Sequence, residues 1–397
     1  VTTYRFFPSA SGPSSPVSYG GSFLAGLVFQ ATEGGTYLDG YWWWVADSGQ
    51  TTASGQEFAL WQIPYSANNG DNFDSSGASW KLVSGSTATA GTLTAGAWNY
   101  IALAGPILLS QGFPYVLATG FSGDFPATND QFGSGDPYSA GIAAGPVTAY
   151  SDQGGSNSLA GGTPQGLFST AGTDPAVNPP DEGSNSANFW TDAQFDDTST
   201  SSAYRMWPNL PAPVSAATGE TTGFTLGNQF SLSQPCPLGK IWFYSGSGAA
   251  ALPARCAIWT VSTETEVSGT DNSSPSWLLP GGGAASAGDG WVYCDYSAAG
   301  VTLESGVNYM VSVFYAGGSE WFAGGNTPFW ASGGGSGGLT QGPLSMPAAN
   351  SWYLQSSTWG YPSTEDASQD NWWVDVEVTP SASPLSSMAA LIAAGSL

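Results

Sequence analysis

Apolar and polar residues alternate with a period of two in the clearest stretches of this chain. Asn308-Tyr-Met-Val-Ser-Val-Phe314 and Trp373-Val-Asp-Val-Glu-Val378 both read as strands. Clusters of Asn, Asp, Gly, Ser and Pro separate such runs, and no long helical period occurs before residue 384. The pattern predicts antiparallel sheets. In Tyr41-Trp-Trp-Trp44, extended backbone sends Trp42 and Trp44 to one face and Trp43 to the other. One of those faces packs into a core. The other is expected either to lie under a loop or a sister domain, or to form an aromatic platform for a partner.

The chain also repeats itself. Tyr4-Arg-Phe-Phe-Pro8 recurs as Tyr204-Arg-Met-Trp-Pro208, and Phe23-Leu-Ala-Gly-Leu-Val-Phe29 as Phe224-Thr-Leu-Gly-Asn-Gln-Phe230. Tyr41-Trp-Trp-Trp44 matches Ile241-Trp-Phe-Tyr244, Leu60-Trp61 matches Ile258-Trp259, and Trp80 is matched to Trp277. Trp98-Asn-Tyr100 matches Trp291-Val-Tyr293, and Gly112-Phe-Pro-Tyr115 matches Gly306-Val-Asn-Tyr309. Asn188-Phe-Trp-Thr-Asp192 matches Asn371-Trp-Trp-Val-Asp375. The segments recur in the same order. The expected fold is therefore all-β: two tandem homologous antiparallel β-sandwich domains, jelly-roll-like, over residues 1–197 and 203–380. Residues 198–202 read as a linker. Residues 381–397 read as a tail with a short helix, capped by Ser386 or Ser387. Leu385, Met388, Leu391 and Ile392 would share one face for docking on a domain or a partner subunit.

Composition narrows the function classes. Gly (55), Pro (27) and aromatics (14 %) are abundant, while charged residues make up only 9 %. That suits many short strands and excludes simple disorder. The net charge of −24 comes from 29 acids, 5 bases and no histidine. So acidic a chain repels phosphate backbones and anionic lipid, so no nucleic-acid partner is expected. No apolar run reaches the roughly 18 residues of a membrane span. The start, Val-Thr-Thr-Tyr-Arg-Phe-Phe7, does not read as a signal peptide. Either a signal precedes Val1, or the protein reaches the outside without one.

Few charges are kept in both copies. Arg5 matches Arg205, and Asp192 matches Asp375. A structural pair closing each sandwich is expected, because an arginine among aromatics needs a carboxylate. Histidine is absent, so Ser–His–Asp and Cys–His catalysis are excluded. Asp124, Asp130 and Asp136 lie in one Gly-rich loop, with Glu320 near its equivalent, which leaves a two-carboxylate glycoside hydrolase as an alternative. Asp71–Gly77 and Ser122–Asp130 are rich in calcium-type oxygen ligands but lack EF-hand spacing, so solvated loops are the plainer reading. No catalytic residue, metal ligand or cofactor is assigned. Cys236, Cys256 and Cys294 align with Thr36, Phe58 and Ile101 and read as small buried hydrophobes, with one bridge plus a free thiol as the other arrangement. Aromatics outside the matched strands, Phe73, Phe125, Tyr138, Trp330 and Trp359, are the candidate contact residues.

Tyr4-Arg-Phe-Phe-Pro-Ser9, Phe23…Gly26…Phe29, Gly306…Tyr309 and Asn371-Trp-Trp-Val-Asp375 resemble an uncharacterised bacterial β-sandwich domain, a module of extracellular and cell-surface proteins. Tyr41-Trp-Trp-Trp44 and Gly133-Ser-Gly-Asp-Pro-Tyr138 are similar to those of two-copy proteins encoded among the structural genes of actinobacterial phages, labelled minor tail proteins. The resemblance carries no catalytic residue. It implies a non-enzymatic virion protein that assembles in multiple copies with other virion proteins and contacts a host-surface glycan. The alternative is a secreted carbohydrate-binding module.

Overall fold

The computed structural model describes residues 2–8, 12, 22–46, 55–63, 80–122, 125–128, 141–149, 166–170, 172, 174–180, 182–183, 188–196, 203–208, 222–246, 248–317, 329–330 and 335–380. Among them every regular element is a strand. The first half holds β1 (Thr3–Tyr4), β2 (Ser22–Ala31), β3 (Tyr37–Val45), β4 (Glu57–Gln62), β5 (Lys81–Leu82), β6 (Ala88–Thr89) and β7 (Ala97–Leu108). It continues with β8 (Pro114–Ser122), β9 (Ile142–Ala144), β10 (Val147–Ala149), β11 (Leu167–Ser169), β12 (Glu182–Gly183) and β13 (Thr191–Asp196). The second half holds β14 (Tyr204–Arg205), β15 (Phe224–Leu232), β16 (Cys236–Ser245), β17 (Arg255–Thr260), β18 (Thr265–Glu266) and β19 (Gly290–Asp295). It ends with β20 (Thr302–Leu303), β21 (Asn308–Tyr315), β22 (Leu339–Gln341), β23 (Leu344–Met346), β24 (Trp352–Gln355), β25 (Thr364–Glu365) and β26 (Val374–Val378).

The pairing is antiparallel, and the two halves follow one plan. One sheet runs β1-β13-β3-β7 in the first half and β14-β26-β16-β19 in the second. The opposing sheet is centred on β2, β8 and β4 in the first half and on β15, β21 and β17 in the second. No described strand pairs across the halves. Register shifts recur at the same place, between Leu38 and Gly40 and between Leu238 and Lys240. Such bulges re-aim the side chains of the strand that carries them.

The inward faces fill each sandwich. Tyr41 stacks on Phe58, and Trp43 meets Phe58 and Phe121 from the opposing sheet. In the second half Phe243 meets Trp277 and Tyr315. Each fully buried large apolar side chain of this kind contributes about 1.5–3 kcal/mol. The Asn-aromatic-Trp repeat has a backbone role. Asn188 Oδ1 accepts from Trp190 N at 2.9 Å, and Asn371 Oδ1 accepts from Trp373 N at 3.0 Å. Both tryptophans take left-handed φ, 52° and 53°. Such a φ is strained for a bulky residue, and the Asx turn together with ring burial holds it there. The carbonyls of Trp190 and Trp373 then accept from Trp44 and Tyr244 N, seating the last strand beside the central one. The Gly-x-x-Tyr repeat is equally local: Gly112 and Gly306 take φ of 79° and 71°. Tyr115 Oη and Tyr309 Oη accept from Ser110 N and Glu304 N across these turns.

The matching of Trp80 to Trp277 needs correction. Val83 N and Val267 N donate to the carbonyls of the equivalent residues Leu60 and Ile258. That register places Trp80 opposite Glu264, whereas Trp277 follows later and donates to Pro253 O at 2.8 Å. The loops that carry the two tryptophans differ in length, so the residues are not structurally equivalent.

The halves touch through turns. Gln341 Nε2 donates to Leu109 O at 2.8 Å, and its Oε1 accepts from Gly35 N at 2.8 Å. Thr340 N donates to Gln111 Oε1 at 2.7 Å. A Cβ at Gly34 would run into the backbone of Thr340 and Gln341, so the close approach requires glycine there. Phe113 completes the contact against Phe329 and Trp373. The predicted linker 198–202 and tail 381–397 lie outside the described residues.

Candidate functional site

Outside each sandwich, an arginine covers the outward aromatics of the central strand. Pairing places Asp192 opposite Trp42 and Asp375 opposite Trp242. Arg5 Nε donates to Asp192 Oδ2 at 3.2 Å, and Arg205 Nε lies 3.5 Å from Asp375 Oδ2, an ionic contact without hydrogen-bond geometry. The Arg5 guanidinium sits 4.0 Å above the Trp42 ring and 4.9 Å from that of Trp98. Arg205 does the same with Trp242 at 3.7 Å and Trp291 at 5.2 Å. Each carboxylate is saturated by backbone as well. Asp192 accepts from Phe6, Phe7 and Ala193 N at 2.8–3.0 Å, and Asp375 from Met206, Trp207 and Val376 N at 2.7–3.1 Å. Burial pushes both carboxyls up, and the arginine and the backbone amides pull them back. Burial draws Arg205 down to about 10, against the pull of Asp375. These groups are the first turn's anchor to the last strand, and the tryptophan pair explains why the outward face of β3 is aromatic.

Beyond the arginine the two faces diverge. In the second half Lys240 Nζ pairs with Glu377 Oε1 at 2.7 Å. It lies 5.5 Å from the Trp242 ring and 5.0 Å from Tyr293. Glu377 Oε2 also accepts from Trp242 Nε1 at 3.2 Å. Under this cover Trp242 and Tyr293 are only 4 % and 9 % exposed. In the first half the register puts Gly40 where Lys240 stands and Gln194 where Glu377 stands. Gln194 Oε1 still accepts from Trp42 Nε1 at 3.2 Å, but among the described residues no ammonium stands over these rings. Asp39 and Asp196 stand at the positions of Gly239 and Thr379. Tyr100, the counterpart of Tyr293, is 41 % exposed, tilted 5.0 Å from Trp42, and donates to Asp39 O at 3.2 Å. Asp39 is pushed up to about 6 by burial, by a hydrogen bond to Asp196 and by the charge of Asp196, against the pull of Gln194. The same burial and the two carboxylates raise the Tyr100 phenol. The first half thus presents an exposed aromatic ring, a half-buried indole and paired carboxyls in one place.

The aromatics singled out from sequence fall elsewhere. Phe125 is 2 % exposed, packed on Phe23, Phe121 and Phe189, so it is core and not a contact residue. Trp330 is 1 % exposed against Phe329, which itself meets Phe113 of the other half. The structure corrects both expectations: loop position in sequence did not mean surface position. Trp359 is half-buried, donates from Nε1 to Glu266 Oε1, and lies tilted against Trp259 under Arg255. Phe73 and Tyr138 lie outside the described residues. So do Asp124, Asp130, Asp136 and Glu320, and the whole of Asp71–Gly77.

Sequence reasoning passed over Asp39, Tyr100 and Asp196. Their signal was the mismatch between copies, Gly40 against Lys240 and Gln194 against Glu377, inside segments otherwise alike. No family model, no curated protein and no solved structure matches this chain.

Proposed function

We propose that the chain is a non-catalytic assembly and attachment protein of the virion-structural kind, docking through the outer sheet face of its first half. One observation carries this reading. Lys240 closes the second face with an ammonium over two aromatic rings and against a carboxylate, while the first face keeps the rings and carboxyls without it. The occupant that fits is a basic side chain of a partner virion protein, which brings the missing cation to Tyr100, Trp42 and Asp39. The strong negative charge of this chain favours a basic partner. An ammonium over an aromatic face contributes about 0.5–2 kcal/mol. Docking therefore draws its strength from many copies engaging together. The buried carboxylates Asp192 and Asp375 are occupied by arginine and backbone donors, which supports a structural role for them.

Mass spectrometry of purified particles from the host of this gene tests the reading. The chain is expected among the particle proteins. Its absence from particles, together with glycan binding lost on Tyr100→Ala, would instead favour the secreted carbohydrate-binding module.

A further inference from the structure

We propose that Cys256 and Cys294 form a disulfide that ties the two sheets of the second sandwich together. Cys256 lies on β17 in one sheet, opposite Val313, and Cys294 lies on β19 in the other, opposite Ile241. Both are buried and both belong to the core between the sheets. The connecting chain draws them together. Asn272 makes a two-way backbone bridge with Cys256, at 3.1 and 3.0 Å, and its side-chain Nδ2 donates to Cys294 Sγ at 3.3 Å. Tyr296 Oη is 3.3 Å from Cys256 Sγ and donates onward to Thr270 O at 2.7 Å. One asparagine and one tyrosine thus set both sulfurs in a small polar pocket inside an apolar core.

The thiols differ in character. Hydrogen bonding from Cys256 holds the Cys294 thiol below its ordinary value despite burial, helped by Asn272 and Tyr296. The same contact, with burial, raises Cys256 well above its own. A thiol drawn down beside one pushed up, with shared polar neighbours at Asn272 and Tyr296, is the division of labour found in dithiols that exchange with disulfides. The first half has Phe58 and Ile101 at these positions, where bulk does the packing. Cys236 stands apart, on β16 opposite Leu303, with its Sγ directed to Gln234 O at 3.4 Å.

The chemistry balances with a small disulfide as oxidant. The Cys294 thiolate attacks one sulfur of the oxidant, breaking its S–S bond and releasing one thiolate. Cys256 gives up its proton and attacks the Cys294 sulfur of the mixed disulfide, forming the intramolecular bond and releasing the second thiolate. The protein loses two hydrogens, and the oxidant gains them as two thiols. The proposal is independent of the docking face, which lies in the other half.

The test uses the full chain in two arms: native protein incubated with 2-hydroxyethyl disulfide, and protein refolded from denaturant in a glutathione redox buffer. Thiols are titrated under denaturing conditions, and peptides are mapped without reduction. The expected result is a fall from three thiols to one, with a linked peptide pair containing Cys256 and Cys294. Cys236→Ser is expected to keep the link. Cys256→Ser and Cys294→Ser are each expected to lose it and leave their remaining thiols titratable. Three titratable thiols in both arms, or a link that includes Cys236, would overturn the proposal.

Discussion

Replacing Asp192 with asparagine removes one oxygen's charge from the centre of the first latch and leaves its shape. The carboxylate receives four donors: Arg5 Nε at 3.2 Å and the N–H groups of Phe6, Phe7 and Ala193 at 3.0, 3.0 and 2.8 Å. Each oxygen takes two of them. An amide keeps one acceptor oxygen and turns an NH2 toward the other pair of donors. Arg5 is then a cation with 13 % side-chain exposure facing no anion. Breaking a buried pair on one side costs about 3–5 kcal/mol. With a urea slope of about 3 kcal/mol/M, the unfolding midpoint of the affected transition falls by about 1–1.7 M. The assay is equilibrium urea unfolding followed by tryptophan fluorescence. Arg5→Met added to Asp192→Asn removes the stranded charge and is expected to recover part of the loss. A shift below about 0.15 M in the single variant, within ordinary surface-substitution size of about 0.5 kcal/mol, would refute the argument that this pair anchors the sandwich.

Other outcomes follow from the same geometry. Asp39 takes up its proton more readily folded than unfolded, since its value rises from 3.8 to about 6. That group therefore adds stability as pH falls through about 6 and withholds it at pH 7.5. Asp39→Asn should be more stable than the parent at pH 7.5, with the difference shrinking at pH 4.5, as read by thermal melts at both. Gly34→Ala forces the turn off the backbone of Thr340 and Gln341 and should cost about 1–3 kcal/mol. A larger radius of gyration in scattering would accompany it as the Gln341 bonds part. Lys240→Met should leave Glu377 without its ammonium partner and raise iodide quenching of tryptophan fluorescence only modestly, because Arg205 still covers the indole.

Much of the fold was legible because the local rules are strong. Two-residue alternation in Asn308–Tyr315 and Val374–Val378 marks strands that both lie inside their sheets, each paired on two sides. Self-similarity placed Trp98 and Trp291 on equivalent strands, opposite Trp44 and Tyr244. Trp80 and Trp277 share a residue type but not a place, because the hydrogen-bond register is set by Ser86 and Thr270 in loops of different length. The site was less legible for a different reason. Similarity between copies marks core and turn residues, while a surface that differs in use is marked by dissimilarity. Phe125 and Trp330 lie in polar stretches of sequence, yet their rings are buried, Phe125 against Phe23, Phe121 and Phe189 and Trp330 against Phe329. Tyr100 looked like an ordinary member of a matched strand, and only the loss of Lys240's counterpart exposes it.

The central claim is that the first half's outer face is the docking surface. Tyr100→Ala with Asp39→Asn removes the exposed ring and one carboxyl from this face. The decisive measurement is the amount of chain in purified particles, variant against parent, with folding checked by circular dichroism. A fall of about tenfold or more, equivalent to about 1.4 kcal/mol of docking energy per contact, is predicted. Equal incorporation of a folded variant would contradict the claim.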